Sequence, residues 1–394
     1  MRGVTDASVG VYVHVPFCER VCPYCDFAVV AAGDLDPEVE WRYVDAVLRE
    51  LELRRVAFSG RSLASLYLGG GTPSLLRPES VERLIDAVTK TFVPDEGLEV
   101  TLEVNPSTVE RERLPAFRAA GVNRVSLGVQ SFNDRVLKRL GRAHVAEEAR
   151  RTLEACRAAG FGCVSLDLIF AAPGETLAVF ERDLDEALAF APEHLSTYEL
   201  TIERGTPFHT AAARGQLALP AEGESVAMIE RAEARLGEAG FTRYELSNYA
   251  QPGRESVHNR RYWERKPVLG LGVGAFSTDP PGASAPFGVR RANGRGLPTY
   301  LARIEAGRSP ESGAGEVLGA GTARGEAIFL SLRAARGVDA ERFAAEFGQP
   351  PRGFYGAAIE ALVGDGLLEE GAGGDLRLTP RGRLLSDSVF AHFV

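Results

Sequence analysis

Three cysteines occupy one short polar loop at the spacing Cys18-x3-Cys22-x2-Cys25. Thiolates so placed can hold a cubic iron–sulfur cluster by three of its irons and leave the fourth iron without a protein ligand. An open iron binds small molecules. S-adenosylmethionine fits, because its amino and carboxylate groups chelate iron and an electron from the cluster can cleave its sulfonium to a 5′-deoxyadenosyl radical. Structural zinc is the competing use of clustered thiols, but it normally takes four ligands. The remaining cysteines, Cys156 and Cys163, fall on a predicted helix and at the start of a predicted buried strand, where a small apolar thiol is at home.

Two further groups carry chemical potential. Gly69-Gly70-Gly71-Thr72-Pro73 follows a predicted strand and would expose backbone to a ligand with no Cβ in the way, and Glu103 ends another strand just before Asn105-Pro106, where a carboxylate suits an amino group or ribose hydroxyls. The run His258-Asn259-Arg260-Arg261-Tyr262-Trp263 places an imidazole beside aromatic rings. Imidazole is a common axial ligand of heme iron, and aromatic rings stack on a porphyrin face. Most lone histidines are hydrogen-bonded core or surface residues, and His14, just ahead of the cysteine loop, is a rival ligand. His144, His194, His209 and His392 are read as structural.

The elements that must position these residues follow a βα rhythm. Apolar, β-branched runs at Val11–Val15, Leu66–Leu68, Leu98–Val104, Arg124–Val129, Cys163–Ile169 and Leu195–Leu200 predict parallel strands. Helical periodicity fills about 37–58, 79–92, 108–119, 145–159, 176–190 and 222–239 between and after them. The chemistry-bearing residues follow or end these strands, so a curved α/β sheet, a partial (β/α)6 barrel, would gather them around one cavity. The organisation expected is a barrel over 1–240, a segment 241–315 carrying HNRRYW and an irregular loop at 279–296, and a small winged-helix-like module over 316–394. That module is predicted as helices at 325–335, 339–346 and 354–364, then a strand pair and a terminal helix.

Composition narrows the class. The chain has 394 residues, 45% hydrophobic and 25% charged, with no apolar run near the ~20 residues of a membrane-spanning helix. A net charge of −9 argues against broad nucleic-acid binding, which needs a cationic surface. MRGVTDASVG lacks the apolar stretch of a signal peptide, so a cytoplasmic protein is expected, with at most peripheral membrane contact. An odd count of five cysteines also speaks against a disulfide framework.

VYVHVPFCERVCPYCDF resembles the radical S-adenosylmethionine superfamily, and more narrowly the branch of oxygen-independent coproporphyrinogen III oxidase and its relative, the heme chaperone. GGGTPS, EVNP, GVQSF, LGRAH, DLIFAAPGET, HNRRYW and GLGVGAF extend the likeness along nearly the whole chain. The resemblance implies a [4Fe-4S] cluster on Cys18, Cys22 and Cys25. It implies S-adenosylmethionine contacts at Tyr12, Tyr24, Gly70, Gly71, Thr72 and Glu103. Gln130, Arg142, Asp167 and Thr201 match positions that serve a second cofactor molecule in the oxidase, and Phe276 would pack on adenine. The oxidase carries a further cysteine two positions after the third ligand, where this chain has Phe27. That difference, with the HNxxYW pattern, favours the chaperone: heme as cargo, with His258, Tyr262 and Trp263 as its contacts, an acceptor protein with the respiratory chain as one candidate source, and an electron donor for the cluster. The alternative is the oxidase reaction, radical decarboxylation of porphyrinogen propionates to vinyl groups.

Overall fold

The structure is a computed structural model that describes residues 7–394. The first six residues of the segment read as lacking a signal peptide lie outside the described residues. Ser8–Val15, Ser62–Gly70, Pro94–Val104, Arg124–Gln130, Cys163–Phe170 and His194–Glu199 pair side by side, in chain order and all parallel. Amphipathic helices connect successive strands, the longest being Pro37–Arg54, with Asp36 accepting from the Glu38 amide at its N-terminus. Valine, leucine and phenylalanine from both layers form one core, including Val11, Val13, Leu66, Leu102, Leu127, Leu166 and Leu195.

Alternate residues show the curvature. Thr101 and Glu103, Ser126, Gly128 and Gln130, Ser165, Asp167 and Ile169, and His194, Ser196 and Tyr198 all line one cavity. Side chains two apart on a strand share a face, so four neighbouring strands turn the same concave face inward.

After residue 240 the chain returns to this sheet. Asn248–Ala250 pairs antiparallel with His194–Glu199 at one edge, while Val268–Leu271 runs parallel to Ser8–Val15 at the other. Phe276–Asp279, Val289–Ala292 and Glu316–Val317 continue that second edge. The stretch 279–296, expected to be irregular, thus contains a strand. Its Arg291 pairs with Asp279 and Glu311, an ion-paired surface that composition alone reads as loop.

HNRRYW proves to be helical, Val257–Trp263. This short helix packs against Ser62–Gly70 and forms part of the cavity floor, where Ser256 and Asn259 reach the wall. Its first turn is fixed by Glu99, which accepts from the His258 and Val257 amides at 2.9 and 3.1 Å and from Ser256 Oγ; a carboxylate against the positive end of a helix is favourable. Arg261 is buried and clamps Pro267 O and Ser8.

The C-terminal residues build a second core from Ile328, Leu332, Phe343, Ile359, Leu362, Leu376 and Phe390. Helices Ala320–Arg333, Ala340–Phe347 and Pro351–Gly364 precede the antiparallel pair Leu368–Glu370 and Leu376–Leu378. Arg333 lies 4.6 Å over the Trp263 ring, joining this module to the floor helix.

Candidate functional site

The cysteine loop is anchored at both ends. Phe17–Cys18 pairs with Val30–Ala31, and the Ala32 amide donates to Cys18 O at 2.7 Å. A turn within it closes from the Cys25 amide to Cys22 O, and Tyr24 packs against Phe208. All three thiols are free and half-buried at the edge of one cavity of about 480 Å³. Burial pushes the Cys18 thiol up to about 11 and raises Cys25 as well, so a cationic centre is the kind of partner that would hold them as thiolates.

Gly69–Pro73 runs beneath this loop. Gly71 has no room for a side chain, since a Cβ there would meet Phe17 O at 2.7 Å, Val15 O at 2.8 Å and Cys18 Sγ at 3.0 Å. Gly70 adopts φ +110°, where an L side chain is strained. The amides of Gly70, Gly71 and Thr72 are already engaged by Glu103, Val15 O and Phe17 O. These glycines pack backbone closely under the cysteines while still lining the cavity, and of the backbone expected to face a ligand the amide donors of 70–72 are already in use.

Acidic and basic groups face each other across the cavity. Glu103 accepts from the Tyr67 hydroxyl at 2.8 Å and the Gly70 amide at 2.9 Å; burial nevertheless pushes its carboxyl up to about 7, with Asp167 adding to the shift. Asp167 accepts from Ser126 Oγ at 3.1 Å and is likewise raised, chiefly by burial. Arg142 donates to Asn105 Oδ1 at 2.6 Å and Gly128 O at 3.0 Å, and approaches Cys22 Sγ at 3.7 Å. Gln130 lines the wall at φ +65°, a strained conformation of the kind that gathers at functional sites.

Of the residues singled out from sequence, Cys18, Cys22, Cys25, Tyr24, Gly70, Gly71, Thr72, Glu103, Gln130, Arg142, Asp167 and Thr201 come together around this cavity. Tyr12 stands behind the wall, its ring 6.1 Å from Tyr67 and its hydroxyl on His14 Nδ1. Phe276 lies off the lining, 61% exposed at the start of its strand. His258 is buried, with Nδ1 2.9 Å from Ser65 Oγ and Nε2 3.1 Å from the Tyr262 hydroxyl, and its ring is stacked on Tyr67. Both ring nitrogens are therefore engaged within the floor, and Tyr262 and Trp263 also lie off the cavity lining. His14, the rival, is buried between Tyr12 and Ala28 O.

Sequence reasoning passed over Tyr67, Asn105, Ser126, Ser165, Ser196 and Asn259, all on the wall. For the three serines, small polar residues alternating with apolar ones along neighbouring strands were the signal that could have found them.

The residues suit an iron–sulfur cluster. Among the described residues no group of three or more His, Cys, Asp or Glu converges on a single metal ion. A cubane asks for something else: three soft donors on one loop, each for its own iron, and here a glycine lets the neighbouring backbone pack directly against one of them. Cys18, Cys22, Cys25 and Gly71 supply both.

Residues 12–187 match the family model of the radical SAM superfamily, and residues 322–385 match that of the HemN C-terminal domain. The chain is 33% identical over 387 residues to the heme chaperone HemW of Bacillus subtilis, covering 97% of this chain and 98% of the relative. It is 38% identical over 380 residues to the heme chaperone HemW of Mycobacterium tuberculosis, covering 96% and 93%. In fold it resembles coproporphyrinogen III oxidase (HemN) from Escherichia coli, a radical SAM enzyme, with a TM-score of 0.81 and 23% identity over 98% of this chain and 90% of that one. Full-length similarity at this level, over a barrel whose thiols and glycine loop meet at one cavity, places the chain in the radical SAM superfamily, and within it the chain belongs to the HemW family.

Proposed function

We propose that this chain is a heme chaperone that binds heme, a [4Fe-4S] cluster and S-adenosylmethionine, and passes heme to an acceptor protein. The observation that carries the reading is the near full-length similarity to proteins named heme chaperone HemW, in a chain that has Phe27 where the oxidase pattern has a fourth cysteine. Cys18, Cys22 and Cys25 would hold the cluster, which when bound supplies one-electron chemistry and an open iron for the sulfonium cofactor.

The chain's own residues would do the rest. Gly71 lets the backbone approach beneath the cluster. Glu103, oriented by Tyr67 and Gly70, would take the cofactor's ammonium or ribose hydroxyls; a cation beside it would favour its charged form. Tyr24 and Thr72 would complete the wall, with Tyr12 supporting it from behind, while Arg142, from the loop before Ala146–Ala158, Asp167 on Cys163–Phe170, Gln130 and Thr201 would meet the polar groups of a second cofactor molecule. Ligation of heme iron by His258, with Tyr262 and Trp263 against the porphyrin, would require the imidazole ring to give up the bond to Tyr262 or the bond to Ser65, according to the nitrogen used. The reading places the protein in the cytoplasm with an electron donor and a heme acceptor as partners. No helix among the described residues is long and apolar enough to cross a membrane.

The test is a single anaerobic preparation with reconstituted cluster, assayed for heme binding by absorbance, for transfer to an apo heme protein and for coproporphyrinogen decarboxylation. Stoichiometric heme that transfers, with no vinyl product, is the expected result. Efficient conversion of propionates to vinyl groups overturns it.

A further inference from the structure

Two of the three cluster cysteines are joined by a hydrogen-bonded bridge of side chains. The Thr72 hydroxyl stands beside Cys18 as a donor that favours its thiolate. Arg142 Nη1 reaches Cys22 Sγ at 3.7 Å. Between them stands Asn105, whose Nδ2 donates to Thr72 Oγ1 at 2.6 Å and whose Oδ1 accepts from Arg142 Nη2 at 2.6 Å. Guanidinium carries donors and no acceptor, so the amide's orientation follows from chemistry: Oδ1 must face Arg142, and Nδ2 is left for Thr72. Because Asn105 donates to the Thr72 oxygen, the Thr72 hydrogen is left free to point at Cys18.

The arrangement is built closely. Asn105 directly follows the strand Pro94–Val104, and its amide donates to Ser74 Oγ at 3.4 Å. Gly128 leaves the space, since a Cβ there would lie 3.1 Å from Asn105 Oδ1 and 3.4 Å from Arg142 Nη2. The bridge also stands between two cavities. Thr72, Asn105, Arg142 and Cys22 line both the 480 Å³ cavity and a second one of about 620 Å³ on the other side. Open space therefore borders Cys22 and its bridge in both cavities, and the wall itself must fix the sulfur environment.

We propose that Asn105 is a positioning residue that sets the reduction potential of the cluster by holding Thr72 and Arg142 as hydrogen-bond donors to Cys18 and Cys22. The inference rests on the cluster of the proposed function. Hydrogen bonds to cluster sulfurs stabilise the more negative, reduced state and raise the potential, and bonds to charged groups are the stronger kind. Removing Asn105 frees Thr72 to turn away and Arg142 to swing toward Gly128 O alone, so the reduced state loses stabilisation.

The experiment is an anaerobic potentiometric titration followed by electron paramagnetic resonance, on the reconstituted full chain and on Asn105→Ala and Asn105→Asp, with iron and sulfide content measured in each. In Asn105→Asp the carboxylate accepts the Thr72 hydrogen and adds negative charge, so both variants move in the same direction. The expected result is full cluster content with the reduction equilibrium shifted about tenfold toward the oxidised form, about 59 mV lower for one electron. Full clusters with an unchanged potential overturn the inference. Loss of the cluster from both variants while the wild type is loaded overturns it too, since Asn105 would then be needed for assembly. A wild-type chain that takes up no cluster refutes instead the proposed function beneath it.

Discussion

The Tyr67 hydroxyl donates to Glu103 Oε1 at 2.8 Å across two neighbouring parallel strands. The same tyrosine ring stacks on His258 of the floor helix at 5.1 Å, so the cavity carboxylate and the floor share one support. What happens to the charge of Glu103 therefore bears on both binding and stability.

Burial raises the Glu103 carboxyl to about 7 from an ordinary 4.5, against the opposing bonds from Tyr67 and Gly70. Between those pH values the folded chain keeps a proton that the unfolded chain has released. Stability from this group is thus fully present below about pH 4.5 and is lost as pH rises toward 7, by up to about 3 kcal/mol. Glu103→Gln removes that contribution. Urea unfolding of the ligand-free variant should show a smaller fall in stability between pH 5 and pH 8 than wild type. Calorimetry at pH 8 should show S-adenosylmethionine binding weakened at least tenfold, as expected when a charged partner worth about 1.5–3 kcal/mol is removed. An unchanged pH slope would show that the carboxyl titrates normally.

Gly71→Ala tests the cradle. The new methyl would press on the carbonyls of Val15 and Phe17 and on Cys18 Sγ, two of them backbone atoms that cannot rotate away. Overpacking of this kind costs about 1–3 kcal/mol. Reconstituted protein should carry less than half the wild-type iron, and thermal unfolding should come several degrees earlier. Wild-type iron content would mean that the loop relaxes more freely than this packing allows.

Cys22→Ser should separate cluster from fold. Cys22 is half-buried on a surface loop, and Arg142 keeps Asn105 and Gly128 O when the thiol is gone. The variant should lose the visible absorbance of the cluster and its acid-labile sulfide, while its unfolding free energy stays within about 1 kcal/mol of wild type. A retained cluster would refute the three-cysteine assignment.

The parts that were legible in the sequence share a physical character. Val11–Val15 and Leu195–Leu200 announce themselves through Val11, Val13, Val15 and Leu195, fully buried apolar residues of the kind by which a parallel strand packs into the core. The cysteine loop was legible because its spacing is itself the chemistry. What stayed hidden depended on distant partners. Val289–Ala292 is a strand because Phe276–Asp279 pairs with it and because Asp279, Glu311 and Glu326 balance Arg290 and Arg291. Val257–Trp263 is too short for periodicity to register, and it is held as a helix by Glu99 from a strand more than 150 positions earlier. Ser126, Ser165 and Ser196 look like interruptions in apolar runs until the strands are known to present one face to one cavity. At His258 the motif names a candidate ligand, and only the fold shows that both of its ring nitrogens are bonded within the barrel floor.

That position makes heme binding through His258 a conformational event. For Nε2 to reach iron it must leave Tyr262, and for Nδ1 it must leave Ser65; Arg261 and the Glu99 cap hold the same helix in place. Each broken buried bond that finds no substitute costs about 1–3 kcal/mol. If His258 is the ligand, heme must open the floor helix, and amide hydrogen exchange across 257–263 should speed up at least tenfold on heme binding. His258→Ala should then remove or shift the heme absorbance while leaving cluster absorbance unchanged. Because the variant also strips Ser65 and Tyr262 of their partner, its thermal stability must be measured alongside. A folded His258→Ala protein that binds heme with an unshifted spectrum, and a wild-type floor helix whose exchange does not respond to heme, together assign the iron to another ligand.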